Sequence, residues 1–139
     1  MALLPYLFSL AATSATNGVL MKPMAYQHLD DENTWDLWNQ FYLGDAILVA
    51  PIFSDTNQRE VYLPRGHWRD FDQPSRTYSG GTAISVSADP AVLPRFIREN
   101  SIFVTGAVEP GNSFHWRQVE PHVTFRVNPA SADGSHVFD

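Results

Sequence analysis

Cysteine is absent from the 139 residues, which removes disulfides and thiolate metal sites from consideration. The compartment stays open, since many secreted proteins also lack cysteine. Basic side chains are scarce: nine Lys and Arg stand against fifteen Asp and Glu, a formal net charge of −6. No basic stripe is present to displace counterions from a phosphate backbone, so nucleic acid is not expected as a partner. Long apolar runs are missing as well. None approaches the roughly 20 residues of a membrane-spanning helix, and no membrane partner is expected. The five histidines, His28, His67, His115, His122 and His136, show no HxH or HExxH spacing. A metal site therefore has no support, and no cofactor is expected. Internal repeats and low-complexity linkers are absent too.

What remains is a globular composition, with 44% hydrophobic and 17% charged residues. The length suits one domain, or one small domain plus a piece of another. Aromatic residues reach 13%, with Trp35, Trp38, Trp68 and Trp116 spread along the chain. Met1 to Ala15 superficially has the apolar core and small residues of a signal peptide. Its first residues carry no Lys or Arg, however, and Pro5 interrupts the apolar run, so the segment is read as part of the fold.

Leu3 to Thr16 has apolar residues at three- and four-residue steps, which predicts a helix. Pro5 falls where a first turn tolerates it, and Asn17-Gly18 suits a C-cap. Val19 to Met24 reads as a short buried strand of the parallel type. Asp30-Asp31-Glu32-Asn33-Thr34 offers capping oxygens and negative charge to a second helix, expected from about Thr34 to Leu43 and ended by Gly44. Trp35, Trp38 and Phe41 or Tyr42 would share one side of it. A lone strand between two helices cannot form its own sheet, so residues 1–44 read as the tail of a larger α/β unit.

From Ala46 the pattern is β. Strands are expected at Ala46 to Ala50, Arg59 to Leu63, His67 to Phe71, Arg76 to Tyr78, Thr82 to Ser87, Val92 to Ile97, Ser101 to Val104, Ser113 to Trp116 and His122 to Val127. Pro64-Arg65-Gly66 and Ser79-Gly80-Gly81 are turn signals. Short strands at such intervals predict a mainly β fold, an antiparallel sandwich.

Six stretches in register resemble glycoside hydrolase family 31, the α-glucosidase and α-xylosidase family. Leu3 to Ser9 (LLPYLFS) resembles the segment LLPYLYS on a late barrel helix. Gly18 to Met24 (GVLMKPM) resembles the last barrel strand, with Lys22 where an arginine is usual. Gln40 to Asp45 (QFYLGD), continuing to Ile52, resembles the junction into a proximal β-sandwich. Arg59 to Pro64, Gly66, Trp68 and Asp70-Phe71 resemble the pattern REVYLPxGxWYDF, Leu93 to Arg98 with Ser101-Ile102 resembles LPVFVRxGSI, and His122 to Phe138 resembles the opening of a distal β-domain. The resemblance implies a helix–strand–helix remnant of a (β/α)₈ barrel over 1–44, a proximal sandwich over 45–120 and the start of the distal domain over 121–139. It also implies a retaining α-glycosidase, whose two carboxyl groups would stand about 5–5.5 Å apart. Both family aspartates lie upstream of the LLPYL helix, as do the arginine and histidine of the innermost sugar subsite. The expectation is thus a non-catalytic C-terminal part, with no catalytic, substrate-binding or metal-ligating residue of its own.

Local candidates for chemistry weigh the same way. Asp30-Asp31-Glu32 fits capping better than catalysis. Asp70 and Asp72 would share a strand face about 7 Å apart between α-carbons, a spacing open to a retaining pair. In the resembling segment, though, they sit on a sandwich strand remote from the barrel mouth. Trp68, Tyr62, Phe71 and Tyr78 could stack on a sugar, but alternating aromatics more commonly build a sheet interior. Alternation alone does not decide whether Trp68 or Phe71 points inward; the resemblance favours Trp68, near the Gly66 turn and against Ile47–Val49. Structural roles are expected for Gln40, Phe41 and Gly44 at the junction and for Trp68 and Phe71 in the core. The expected partner is the missing catalytic barrel. Self-association through the exposed remnant, an oligosaccharide on a free-standing sandwich, or one half of a split glycosidase are the alternatives.

Overall fold

The structure, a computed structural model, describes residues 3–17, 19–53, 57–89, 92–106 and 123–129. Helix α1 (Leu4–Asn17), strand β1 (Met21–Pro23), the single turn of helix α2 (Met24–Gln27) and a 3-10 turn (Glu32–Thr34) come first. The strands β2 (Phe41–Leu43), β3 (Ile47–Val49), β4 (Gln58–Leu63), β5 (His67–Asp70), β6 (Thr77–Ser79), β7 (Thr82–Ser87), β8 (Arg95–Arg98), β9 (Ser101–Gly106) and β10 (Val123–Asn128) follow. The described residues fall into two compact units, one formed by α1 with β9 and β10, the other by the remaining elements. The fold is mainly β with antiparallel sheets, as the strand spacing predicted.

The larger unit holds a six-stranded sheet in the order β1-β2-β3-β8-β5-β6 and a separate β4–β7 ribbon. All of their pairings are antiparallel. Period-two alternation explains the packing. Tyr42, Leu48, Phe96 and Trp68 come from one face of the six-stranded sheet, and Val61 and Leu63 from the ribbon. Together with Met24 and Ala50 they form one buried cluster, flanked by the half-buried Ile84 and Val86 of β7. Two sheets sharing an apolar layer are the sandwich that alternation requires.

Trp68 anchors that layer. Its ring is 1% exposed and lies 6.1 Å from the Tyr42 ring, centroid to centroid. Its indole N–H donates to the Pro64 carbonyl at 2.8 Å, so the one polar atom taken from water keeps a partner. Gly80 makes this possible: a Cβ there would stand 1.8 Å from that carbonyl oxygen and 2.9 Å from the indole nitrogen. The turn at Gly66 has φ of +123°, a backbone state that L side chains avoid. Phe71 is also buried, just past the end of β5, where the Arg95 guanidinium lies 4.1 Å from its ring centre. By alternation Phe71 takes the opposite strand face from Trp68, and it is buried outside the Trp68 cluster.

Three expectations are corrected. The helix over Thr34 to Leu43 does not form; a 3-10 turn ends at Thr34 and Phe41–Leu43 is strand β2. Gln40 accounts for the switch. Its amide nitrogen donates to the Tyr62 carbonyl at 2.6 Å and its oxygen accepts from the Tyr62 N–H at 3.1 Å, so its side chain continues the ladder on β4. Val19 to Met24 is not a buried parallel strand either. β1 runs antiparallel to β2 at the sheet edge, with Met21 and Pro23 exposed. Proline, which has no N–H to donate, is tolerated at an edge. The strand does not lack a sheet of its own, since β2 supplies the partner. Finally, the His67–Phe71 strand stops at Asp70. The strand expected at Ser113 to Trp116 and the cap at Gly18 lie outside the described residues.

In the smaller unit α1 forms near its expected position. Tyr6 packs edge-on against Phe103 of β9, with ring centroids 5.8 Å apart. Ser9, Thr13 and Ser14 return their hydroxyls to carbonyls one turn back, which satisfies them within the helix. Phe8 is exposed.

Candidate functional site

One groove stands out in the larger unit. It has a volume of ≈ 560 Å³ and is lined by β1 and by the segment between α2 and β2, with Met21, Lys22, Trp35, Asp36, Trp38 and Phe41 among its walls. Trp35 is 57% exposed and Trp38 85%. Two large aromatic side chains are thus left in water at nearby positions of one segment.

The walls are held from beneath by polar side chains. Asp31 caps the 3-10 turn, its carboxylate accepting from the Asn33 N–H at 3.2 Å and the Asn33 side-chain amide at 3.0 Å. The same carboxylate accepts the Tyr62 hydroxyl of β4 at 2.7 Å. Burial pushes Asp31 up, but the hydrogen bonds from Tyr62 and Asn33 outweigh it and hold the carboxyl below its ordinary value. Tyr62 is pushed up by burial and then by the Asp31 carboxylate. Arg59 donates to the carbonyls of Asn39 at 2.8 Å and Pro51 at 2.5 Å. With the paired amide of Gln40, these bonds fasten residues 31–40 onto β4. At the other wall the Lys22 ammonium pairs with the Asp45 carboxylate, which also accepts from Gln27 at 2.6 Å.

The sequence candidates have separate places. Among Asp30, Asp31 and Glu32, Asp31 is the capping residue. Asp70 accepts the backbone N–H groups of Asp72 and Gln73, each at 2.8 Å, closing the turn after β5. Asp72 pairs with Arg95 at 2.6 Å. Each carboxylate is thus engaged in a structural contact. His28 is buried with its Nε2 2.8 Å from the Tyr42 hydroxyl, while His67 is exposed; the other three histidines lie outside the described residues. No group of three or more His, Asp or Glu among the described residues could hold a metal. Trp68 and Phe71 are core, and Tyr78 packs edge-on against Phe96 with centroids 5.6 Å apart. Tyr62 is half-buried and serves as a clasp. The groove itself was missed by sequence reasoning, which placed Trp35 and Trp38 on a helix. No described helix is long and apolar enough to cross a membrane.

Residues 17–103 match the glycosyl hydrolase family 31 C-terminal domain. The chain belongs to glycosyl hydrolase family 31. It is similar to α-glucosidase 2 of Bacillus thermoamyloliquefaciens, with 36% identity across 76% of this chain and 14% of that protein. It is similar also to an α-xylosidase of Lactiplantibacillus pentosus, with 37% identity across 75% of this chain and 14% of that one. Among solved structures, the cycloalternan-forming enzyme of Listeria monocytogenes superposes with a TM-score of 0.82 at 35% identity. That match covers 93% of this chain and 13% of that enzyme. This family 31 chain therefore spans about a seventh of the length of such relatives, and its residues 17–103 correspond to the family's C-terminal domain.

Proposed function

We infer that the chain is the non-catalytic C-terminal part of a retaining α-glycosidase, of α-glucosidase or α-xylosidase type, serving carbohydrate metabolism. In this reading residues 1–44 derive from the end of the catalytic barrel, 45–120 are the proximal sandwich and 121–139 begin a distal domain. The observation that carries the proposal is the groove. Trp35 and Trp38 expose apolar rings on a segment tied to the sandwich by side-chain hydrogen bonds, as expected of a surface that the missing catalytic part covers. The carboxylates of Asp70 and Asp72 support the same reading, because each is engaged in holding a turn or an arginine.

The exposed rings also favour a second reading, an oligosaccharide stacked on Trp38 and Trp35. Two measurements on the whole chain separate the two. With aryl α-glucosides and α-xylosides, turnover should stay at the blank; turnover lost in Asp70→Asn or Asp72→Asn would overturn the non-catalytic assignment. Supplied with a family 31 catalytic part lacking this region, the chain should form a complex that Trp38→Ala weakens. Saturable quenching of tryptophan fluorescence by maltose or xylo-oligosaccharides, without complex formation, would favour the sugar instead.

A further inference from the structure

The segment that carries Trp35 and Trp38 hangs from His28. The His28 carbonyl accepts from the Asp31 N–H at 3.1 Å, and the Thr34 hydroxyl lies 3.0 Å from it, sharing its one proton with the Asp31 carbonyl at 2.7 Å. Its own N–H closes α2 on the Ala25 carbonyl at 3.3 Å. The Trp35 indole N–H donates to the Leu29 carbonyl, the next residue along, at 3.3 Å. The imidazole joins this assembly to the sheet: Nε2 stands 2.8 Å from the hydroxyl of Tyr42, a fully buried residue of β2. The rings are 5.7 Å apart at their centroids.

Among the described residues, few charges act on this imidazole. Arg98 of β8 is the cation; Asp30 and Asp31 on the segment itself are the anions; Tyr42 is the titratable neighbour on β2. Arg98 donates to Gln27 at 3.5 Å, a long bond to a neutral group. Burial first, and then Arg98, hold His28 below its ordinary value against the opposing pull of the two aspartates. With its proton on Nδ1, neutral imidazole accepts the Tyr42 hydroxyl proton at Nε2; imidazolium has donors only, so from that tautomer the hydroxyl must turn, and in either tautomer a second positive charge then faces Arg98 in a half-dry site.

We propose that the His28–Tyr42 contact is a proton-operated latch on the segment 28–38, closed with neutral His28 and loosened when His28 takes a proton. The sign follows from linkage. A histidine held below its free value binds fewer protons in the latched state than in the open one. Latching is therefore complete above the free histidine value near 6.5, and is lost progressively as pH falls from there through the latched-state value. The consequence for docking rests on the groove reading above: acidification would loosen the surface that presents Trp35 and Trp38. The latch itself is measured with no partner present.

The test is a ¹H–¹⁵N NMR titration of the whole chain from neutral to acidic pH, following the His28 ring, the Thr34 amide and the Trp35 indole N–H. The three should move together with one midpoint below that of free histidine. Exchange of the Asp31 and Thr34 amides, corrected for intrinsic rates, should rise several-fold below that midpoint. In His28→Gln, which keeps a side-chain acceptor for Tyr42, the titration of Thr34 and Trp35 should vanish. A Trp35 indole that ignores the His28 midpoint overturns the latch, and so does an unchanged titration in His28→Gln, which would assign the effect to Asp30 or Asp31. Should His28→Gln fail to fold, coincidence of the midpoints in the unaltered chain decides. Failure to bind a catalytic part, with the midpoints coincident, would remove the docking reading and leave the latch standing.

Discussion

Trp68 and Trp38 are the same side chain in opposite circumstances, and the contrast separates what holds this chain together from what it offers outward. Trp68 lies at the centre of the sandwich, 1% exposed, with its N–H on the Pro64 carbonyl and a glycine keeping room beside it. Trp38 stands 85% exposed on a segment with little regular structure, beyond the 3-10 turn. Yet that segment is not loosely attached. Gln40, Asp31 and Arg59 bind it to β4 and its neighbourhood through side-chain hydrogen bonds. Apolar burial fixes one region and polar clasps fix the other, so the exposed rings are displayed on a supported frame.

The largest expected effect belongs to the core. Trp68→Ala removes a fully buried aromatic and leaves the Pro64 carbonyl without its donor. A loss of about 3–5 kcal/mol is expected, as for other large-to-small changes at buried aromatics. Urea melts measure it. A loss below about 0.5 kcal/mol, the scale of exposed sites, would erase the difference between the two tryptophans.

An intermediate effect tests the clasp. Gln40 is 1% exposed and occupies both the N–H and the carbonyl of Tyr62. Gln40→Ala leaves both part-buried groups without their partner, which costs at most about 1–3 kcal/mol per unsatisfied group. Amide exchange should quicken in residues 31–43 more than around Trp68. Equal quickening everywhere would mean that the segment and the core open as one unit.

That clasp also explains what the sequence could and could not disclose. Strand β7 (Thr82–Ser87) was legible to the residue because its alternation is local, and α1 because its apolar spacing is. The segment 34–43 was not. Trp35, Trp38 and Phe41 or Tyr42 fall at helix-like intervals, but the strand state is stabilised by Tyr62, 22 residues away from Gln40, and by the flanking strands β1 and β3. Tertiary pairing overrides a local period when the partner satisfies the backbone. The misreading of β1 followed from it, because an antiparallel partner already read as helix could not be recognised. The groove was hidden for the same reason: its walls exist only once the helix is gone. The family, in contrast, was legible, since motifs in register survive errors in secondary structure.

The smallest effect on stability should come from Trp38→Ala. An exposed side chain contributes little to folding, and the melting curve should shift by no more than about 0.5 kcal/mol. What should change is association. Trp38 adds its ring to a groove that already exposes Trp35 and Met21, and an uncovered apolar surface of that kind favours contact between copies when no other partner is supplied. Sedimentation velocity over a concentration series should therefore show reversible self-association in the unaltered chain and a weaker tendency in the variant. Added catalytic part should suppress that association by competing for the same rings. The contrast breaks in two ways. A monomer at every concentration would remove self-association as a property of the groove. An association unaffected by Trp38→Ala but lost in Phe8→Ala, which alters the exposed ring of α1 in the other unit, would move the interaction surface away from the groove altogether.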